Sequence, residues 1–206
     1  MQNPEVGMQK PVPLTADFLL FLLPTMSHML SLIGYRGTGK STVGMRLARR
    51  LNWDWIDTDN EVERRAARTI REIFATDGEQ VFRQLEREVI ADLVQRDRLV
   101  LSTGGGAVLN AESRCDLRSA GPVVWLMAPV QTIAQRILQD ASTTSRRPNL
   151  TPQGGIAEIR EVLGQREPLY RECATIVVNT DGLKLADVVS TVMGQLPVDL
   201  VRETHS

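Results

Sequence analysis

Histidine and cysteine are almost missing from this chain: in 206 residues the only histidines are His28 and His205, and the only cysteines are Cys115 and Cys173. A Ser-His-Asp triad and a zinc site built from His and Cys are therefore almost excluded. The two cysteines can pair in principle, but so few in a chain of this size read as small buried hydrophobes of a reducing compartment, and a cytoplasmic protein is expected. Aromatic residues make up 4%, which leaves little for the stacking platforms that read single-stranded nucleic acid. Charge of one sign is lacking too, with 24 basic against 25 acidic side chains and a formal charge of −1. No global field exists to hold a polyanion, so no nucleic-acid partner is expected and any phosphate must be met locally. The apolar run Phe18-Leu19-Leu20-Phe21-Leu22-Leu23 is too short to span a bilayer, which takes about 20 residues, and no membrane partner is expected. An export signal is the less expected reading of that run, because Asp17 precedes it where basic residues belong and Pro24-Thr25-Met26-Ser27-His28 follows it. Lysine is scarce as well: of the basic side chains only Lys10, Lys40 and Lys184 are lysine. A lysine inside so Arg-rich a body invites a chemical reason.

What remains is the composition of an ordinary folded domain, 42% hydrophobic and 24% charged with 15 Gly and 10 Pro. The first 28 residues differ from the rest, with Pro4, Pro11, Pro13 and Pro24 around the apolar run. They read as an extension, either disordered or packed at the periphery, or as a start codon assigned too early with Met26 or Met29 the first residue. From residue 29 to 206 a single domain is expected, in which short apolar runs alternate with amphipathic helices. Strands are predicted over 29–33, 53–57, 99–102, 123–127 and 175–178, and helices over 41–51, 61–75, 79–95, 111–119, 130–139, 155–166 and 185–196. The economical reading is an α/β fold with a doubly wound, five-stranded parallel sheet. The polar stretch Asp140-Ala141-Ser142-Thr143-Thr144-Ser145-Arg146-Arg147-Pro148 reads as a long surface loop, and such loops in compact domains are often lids.

The strongest chemical signal is Gly34-Tyr35-Arg36-Gly37-Thr38-Gly39-Lys40-Ser41, which satisfies G-x-x-x-x-G-K-[ST] between a predicted strand and a predicted helix. Glycines let the backbone curl so that successive N–H groups face phosphate oxygens, and the helix N-terminus adds partial positive charge. Gly37, Thr38, Gly39, Lys40, Ser41 and Thr42 are thus the expected ATP contacts, with Lys40 reaching the β- and γ-phosphates and Ser41 offering a hydroxyl to Mg²⁺. A metal on such a loop needs an acidic partner, and Asp57-Thr58-Asp59 ends the second predicted strand with two carboxylates on the same side of the pleat. Asp57 is the expected metal partner, through water, and Asp59 is free for a substrate. The competing reading of Asp-x-Asp is a solvated turn or a helix cap, with Asp59 capping the helix that begins near Glu61.

Beyond the phosphate loop, several motifs follow in order: Ser41-Thr42-Val43-Gly44, Asp57-Thr58-Asp59, Ile73-Phe74, Gly78-Glu79, Phe82-Arg83-Gln84-Leu85-Glu86, Thr103-Gly104-Gly105-Gly106, Arg146-Arg147-Pro148-Asn149-Leu150 and Arg166-Glu167-Pro168-Leu169-Tyr170. On this ordered set the chain resembles shikimate kinase, of the nucleoside monophosphate kinase-like P-loop group, over about residues 29–196. The resemblance implies a P-loop fold with substrate-binding helices over about 58–95 and a lid over about 139–152. It implies that Asp59, Arg83, Gly104, Gly105, Gly106 and Arg166 hold shikimate while Arg147 reaches from the lid to the transferring phosphate. Forked guanidinium donors suit a carboxylate, Asp59 suits hydroxyls, and glycines let backbone amides approach the ring. Taken singly, Arg83 reads equally as a helix-surface ion pair with Glu79 or Glu86, Arg166 as a solvated helix end, Gly104 to Gly106 as a flexible loop and Arg147 as a solvated lid charge.

The activity so implied is ATP- and Mg²⁺-dependent phosphorylation of the 3-hydroxyl of shikimate, a step of aromatic amino acid biosynthesis, by a monomer. Asp59 orients the hydroxyl and accepts its proton late, while Lys40 and Arg147 stabilise the transferring group. Two departures stand out: the family's lid usually reads Arg-Pro-Leu-Leu where this chain has Arg147-Pro148-Asn149-Leu150, and residues 136–147 form a stretch a few residues longer than usual. Arg136 is the candidate to stack on adenine. The rival readings are a kinase for another small hydroxy acid such as gluconate, and an idle nucleotide-binding domain that regulates a partner.

Overall fold

Alternation along one strand decides the architecture. All five side chains of β1 (Met29–Ile33) are buried, yet they leave the strand on opposite sides: Met29 and Ile33 join one apolar cluster, Leu30 and Leu32 another. A strand covered on both faces belongs to a sheet sandwiched between helices, the usual setting of parallel strands. In the computed structural model, which describes residues 28–139 and 155–202, β1 is the middle strand of five. With β2 (Asp54–Asp57), β3 (Leu99–Ser102), β4 (Val123–Met127) and β5 (Ile176–Asn179) it forms a sheet of order β2-β3-β1-β4-β5. Every pairing is parallel, with Met29 beside Leu99 and Ser31 beside Val123 at the centre. The doubly wound reading of the sequence holds.

The connections are α1 (Lys40–Leu51), α2 (Thr58–Ala66), α3 (Ile70–Thr76), α4 (Gly78–Leu93), α5 (Ala111–Ala120), α6 (Val130–Gln139), α7 (Gly155–Cys173), α8 (Leu185–Gln195) and the short α9 (Val198–Arg202). Helical spacing puts Val43, Leu47, Ala48 and Leu51 of α1 on one stripe, and these meet Leu30, Leu32, Val188, Val189 and Val192 on one face of the sheet. The other face carries Val62, Ile73, Phe82, Leu117 and Tyr170 from α2, α3, α4, α5 and α7. A third cluster, Tyr35, Ile133, Ile159 and Val162, packs α6 and α7 under the phosphate loop.

The single helix expected over 61–75 is two. Ala67 adopts a left-handed conformation, φ 50°, which ends α2, and Thr69 starts α3 with a reciprocal capping box. The Thr69 hydroxyl accepts from the Glu72 amide at 3.2 Å, and the Glu72 carboxylate accepts from the Thr69 amide at 2.7 Å. Helix α7 runs past the expected end at 166 to Cys173 and contains Pro168. The carbonyl that Pro168 would crowd belongs to Gly164, where no side chain adds to the clash. The helix over 79–95 begins and ends a residue or two earlier than expected, and α9 lies beyond the last expected helix.

Both cysteines are free thiols, Cys115 exposed and Cys173 buried. Among the described residues no helix is long and apolar enough to cross a membrane. The extension expected over 1–28 falls, apart from His28, outside the described residues, and so does the lid over 139–152 apart from Gln139.

Candidate active site

The phosphate loop occupies the turn from the carboxyl end of β1 into α1. Glycine is required at its first position: Gly34 has φ 138°, and a Cβ there would stand 2.4 Å from the Leu126 carbonyl oxygen. Gly39, at φ 94°, precedes α1 with no side chain capping the helix, so the amides of the first turn face the loop without a protein side chain on them, the arrangement that suits an anion. Lys40 is buried, and its Nζ donates to the Gly34 and Tyr35 carbonyls at 2.8 and 2.9 Å. Behind the loop, Trp55 Nε1 donates to Ser102 Oγ at 3.0 Å, and Ser102 Oγ donates to the Lys40 carbonyl at 3.1 Å. Strands β2 and β3 thus fix the backbone of the lysine.

Ser41 and Asp57, both expected at the metal, lie side by side, with Oγ donating to Oδ2 at 2.6 Å. Asp57 also caps α2, its Oδ1 accepting from the Asp59 amide at 3.0 Å. The cap expected of Asp59 is therefore made by Asp57, two residues earlier, and Asp59 sits in the first turn of α2, half-buried. Burial pushes the Asp57 carboxyl above the ordinary range and repulsion from Asp59 adds to this, against hydrogen bonds from Ser41 and the Asp59 amide and the charge of Lys40. Among the described residues no three His, Cys, Asp or Glu side chains could hold a metal ion. A hydroxyl beside a carboxylate fits Mg²⁺, a hard cation that commonly takes one or two protein oxygens and fills its shell with water and phosphate.

Next to this loop the three glycines after β3 are each gripped by a different element. Thr58 Oγ1, fully buried, accepts from the Gly104 amide at 2.8 Å. The Gly105 carbonyl accepts from Arg166 Nη1 at 3.1 Å and from the Tyr170 hydroxyl at 2.5 Å. At Gly106 the Arg83 guanidinium passes so close that a Cβ would lie 2.2 Å from its Nη1. Arg83 does make the helix-surface ion pairs, donating to Glu79 at 2.9 Å and to the buried Glu86 at 2.7 Å, and it does so while lying against the glycine run. Arg166 is not a solvated helix end: it is 8% exposed, in the middle of α7. Burial holds the Tyr170 phenol well above its ordinary range, so it remains a neutral donor. The phosphate loop abuts the same run, because a Cβ on Gly105 would lie 3.4 Å from both the Arg36 amide and the Gly34 carbonyl.

Arg147 lies outside the described residues. The Arg136 guanidinium is bound by the Thr180 hydroxyl and carbonyl, both at 2.8 Å. Three partners were not among the residues expected at the site: Thr58 and Tyr170, which fix the glycine run, and Glu158 on α7, which is fully buried and bridges Arg36 of the phosphate loop. Thr58 lies inside the Asp-x-Asp motif and Tyr170 closes the motif that begins at Arg166. Glu158 carries no signal, since nothing local distinguishes it from a solvated helix acid.

The family model for shikimate kinase matches residues 36–197. Shikimate kinase 2 of Photorhabdus laumondii is 42% identical over 154 residues, covering 75% of this chain and 87% of that protein. The shikimate kinase of Nitratidesulfovibrio vulgaris is 45% identical over 150 residues, 73% of this chain and 85% of its own. Among solved structures, the shikimate kinase from Acinetobacter baumannii in complex with shikimate superposes with a TM-score of 0.76 at 37% identity, covering 82% of this chain and 92% of that one. By sequence and by fold, the chain belongs to the shikimate kinase family.

Proposed function

We propose that the chain transfers the γ-phosphoryl group of ATP to the 3-hydroxyl of shikimate, giving shikimate 3-phosphate and ADP. The observation that carries this reading is the adjacency, along Gly105 and Gly106, of the phosphate loop and two guanidinium groups, Arg166 on the Gly105 carbonyl and Arg83 against Gly106. A small anionic alcohol seated on those groups has its hydroxyl beside the terminal phosphate. The relatives named for shikimate supply the acceptor's identity.

The roles follow from phosphoryl-transfer physics, in which positioning and charge neutralisation do most of the catalysis. The amides of residues 37–42 and the start of α1 bind the phosphate chain, and Lys40 exchanges loop carbonyls for β- and γ-oxygens. Ser41 directly and Asp57 through water would hold Mg²⁺, which would supply charge neutralisation for the transferring phosphate. Arg83 and Arg166 fork onto the substrate carboxylate, with Gly104 to Gly106 approaching the ring closely. Asp59 accepts from the hydroxyls, orients the attacking one and takes its proton late. Arg147 closes from the lid onto the transferring group, and the lid excludes water. We take residues 29–206 to act as one domain, a cytoplasmic monomer; the two free thiols suit a reducing compartment.

A coupled assay of ADP release with shikimate, gluconate and a nucleoside monophosphate side by side tests the reading. Shikimate should turn over fastest by orders of magnitude. Gluconate outrunning shikimate would give the substrate to the rival hydroxy acid, and no turnover with any acceptor would leave a nucleotide-binding regulatory domain.

A further inference from the structure

Lys40 is explained by the phosphate loop; Lys184, the other lysine in the body of an Arg-rich chain, is not. It lies with Arg46, Arg49 and Arg50 around a groove of about 620 Å³ between α1 and α8, floored by Leu185 and Val189. The volume falls within the roughly 300–1,000 Å³ of small-molecule pockets.

The charge of this groove is unusual for the molecule. Many arginines elsewhere are matched to carboxylates, Arg64 and Arg65 to Glu61, Arg68 to Asp77, Arg87 to Glu112 and Asp116, Arg114 to Glu172, and others such as Arg136 and Arg166 to backbone carbonyls. Among the described residues, Arg46, Arg49, Arg50 and Lys184 enter no ion pair. The negative end of the α1 dipole accounts for Arg49 and Arg50 in its last turn. It accounts neither for Arg46, a turn earlier, nor for Lys184, which comes from a different element and precedes the N-terminus of α8. Four uncompensated cations over an apolar floor, on a protein of net charge −1, are complementary to one kind of ligand.

We infer that the groove between α1 and α8 is a second binding site, on the sheet face opposite Arg83 and Arg166, for a small phosphate ester carrying a ring-sized apolar group. The guanidinium forks take the phosphate oxygens bidentately, and the apolar body covers Leu185 and Val189. Because Arg46 and Lys40 share the rigid helix α1, an occupant here stands on the same element that opens the phosphate loop. The inference does not depend on which acceptor the kinase uses.

The probe is 1-naphthyl phosphate, titrated calorimetrically into the full chain with ADP and Mg²⁺ saturating the phosphate loop. Saturable binding at one equivalent is expected, at least about tenfold tighter than inorganic phosphate or uncharged 1-naphthol, since both the ionic and the apolar contacts contribute. The double variant Arg46→Ala/Arg50→Ala, and separately Lys184→Glu, should each weaken it by about tenfold or more. Both should keep wild-type circular dichroism and turnover with shikimate, because neither touches the active site. Weakening in either variant places the probe in the groove. The inference is overturned if binding vanishes once ADP fills the loop, if affinity is unchanged in both variants, or if phosphate or naphthol alone binds as well as the ester.

Discussion

Asp57 and Asp59 stand two residues apart, yet they take different places at the start of α2. Asp57 is fastened between the Ser41 hydroxyl and the start of α2, whereas Asp59 stands within the first turn of that helix. Asp59→Asn should therefore lower turnover by roughly 10²-fold or more, the size of a lost general base, with nucleotide affinity unchanged. Asp57→Asn keeps a capping oxygen but loses the anion beside Ser41, so it should raise the Mg²⁺ concentration needed for half-maximal rate. Mg²⁺ titrations and nucleotide binding on both variants check the assignment; equal metal effects would refute it. Gly106 gives a second test. Gly106→Ala places a methyl group on the Arg83 guanidinium, and the arginine must swing off the glycine run. The expected result is a KM for shikimate raised by about tenfold or more with the KM for ATP little changed, as steady-state kinetics will report. Gly34, Lys40 and Ser41 are legible in the sequence because steric and chemical demands there admit few residues. The role of Tyr170 is not, since its hydroxyl serves a carbonyl 65 positions away.

At the scale of elements, β1, β3, β4 and β5 are legible because short runs of mostly apolar, largely β-branched or leucine residues between turn residues fit little else in an α/β pattern, while the edge strand β2, Asp-Trp-Ile-Asp, is marked by alternation instead. The helices over 61–75 are less so. Apolar periodicity continues across the break, and the stop is written only in Ala67, a residue with no preference for the left-handed conformation it adopts. The restart has a signature: Thr69 and Glu72 have the spacing of a capping box. Helix α2 has its own electrostatic support. Hydrogen bonds from Arg64 draw the Glu61 carboxyl down to about 2, with Arg65 adding to them against the opposing effect of burial, and Arg65 reaches on to Asp92 of α4 at 2.5 Å. An ordinary Glu titrates near 4.3, so the fold favours the ionised form. That stabilisation is complete above the ordinary carboxylate range and is lost as pH falls toward 2. Between about pH 5 and 2 the melting temperature of the wild type should fall more steeply than that of Glu61→Gln. Parallel slopes in thermal melts would show that the pairs contribute nothing.

For the whole molecule, the boundary of the catalytic fold can be tested by removing chain. Strand β1 begins at Met29 and the family match runs over 36–197, so deleting residues 1–25 should leave turnover with shikimate within a factor of a few. A truncated protein that fails to fold or loses activity by orders of magnitude would move the boundary upstream. The two thiols have a practical consequence. Burial raises the Cys173 thiol to about 11 and leaves it 0% exposed, while Cys115 stands open on α5. Thiolate, not thiol, is the nucleophile, so near neutral pH a thiol-selective dye has one place to go. Ellman titration should count one fast thiol in the native protein and two after unfolding in guanidinium. A chain with that count needs no cysteine removed before labelling: a fluorophore on Cys115 would be a ready-made donor for following, by energy transfer to a nucleotide analogue, each arrival and departure at the phosphate loop.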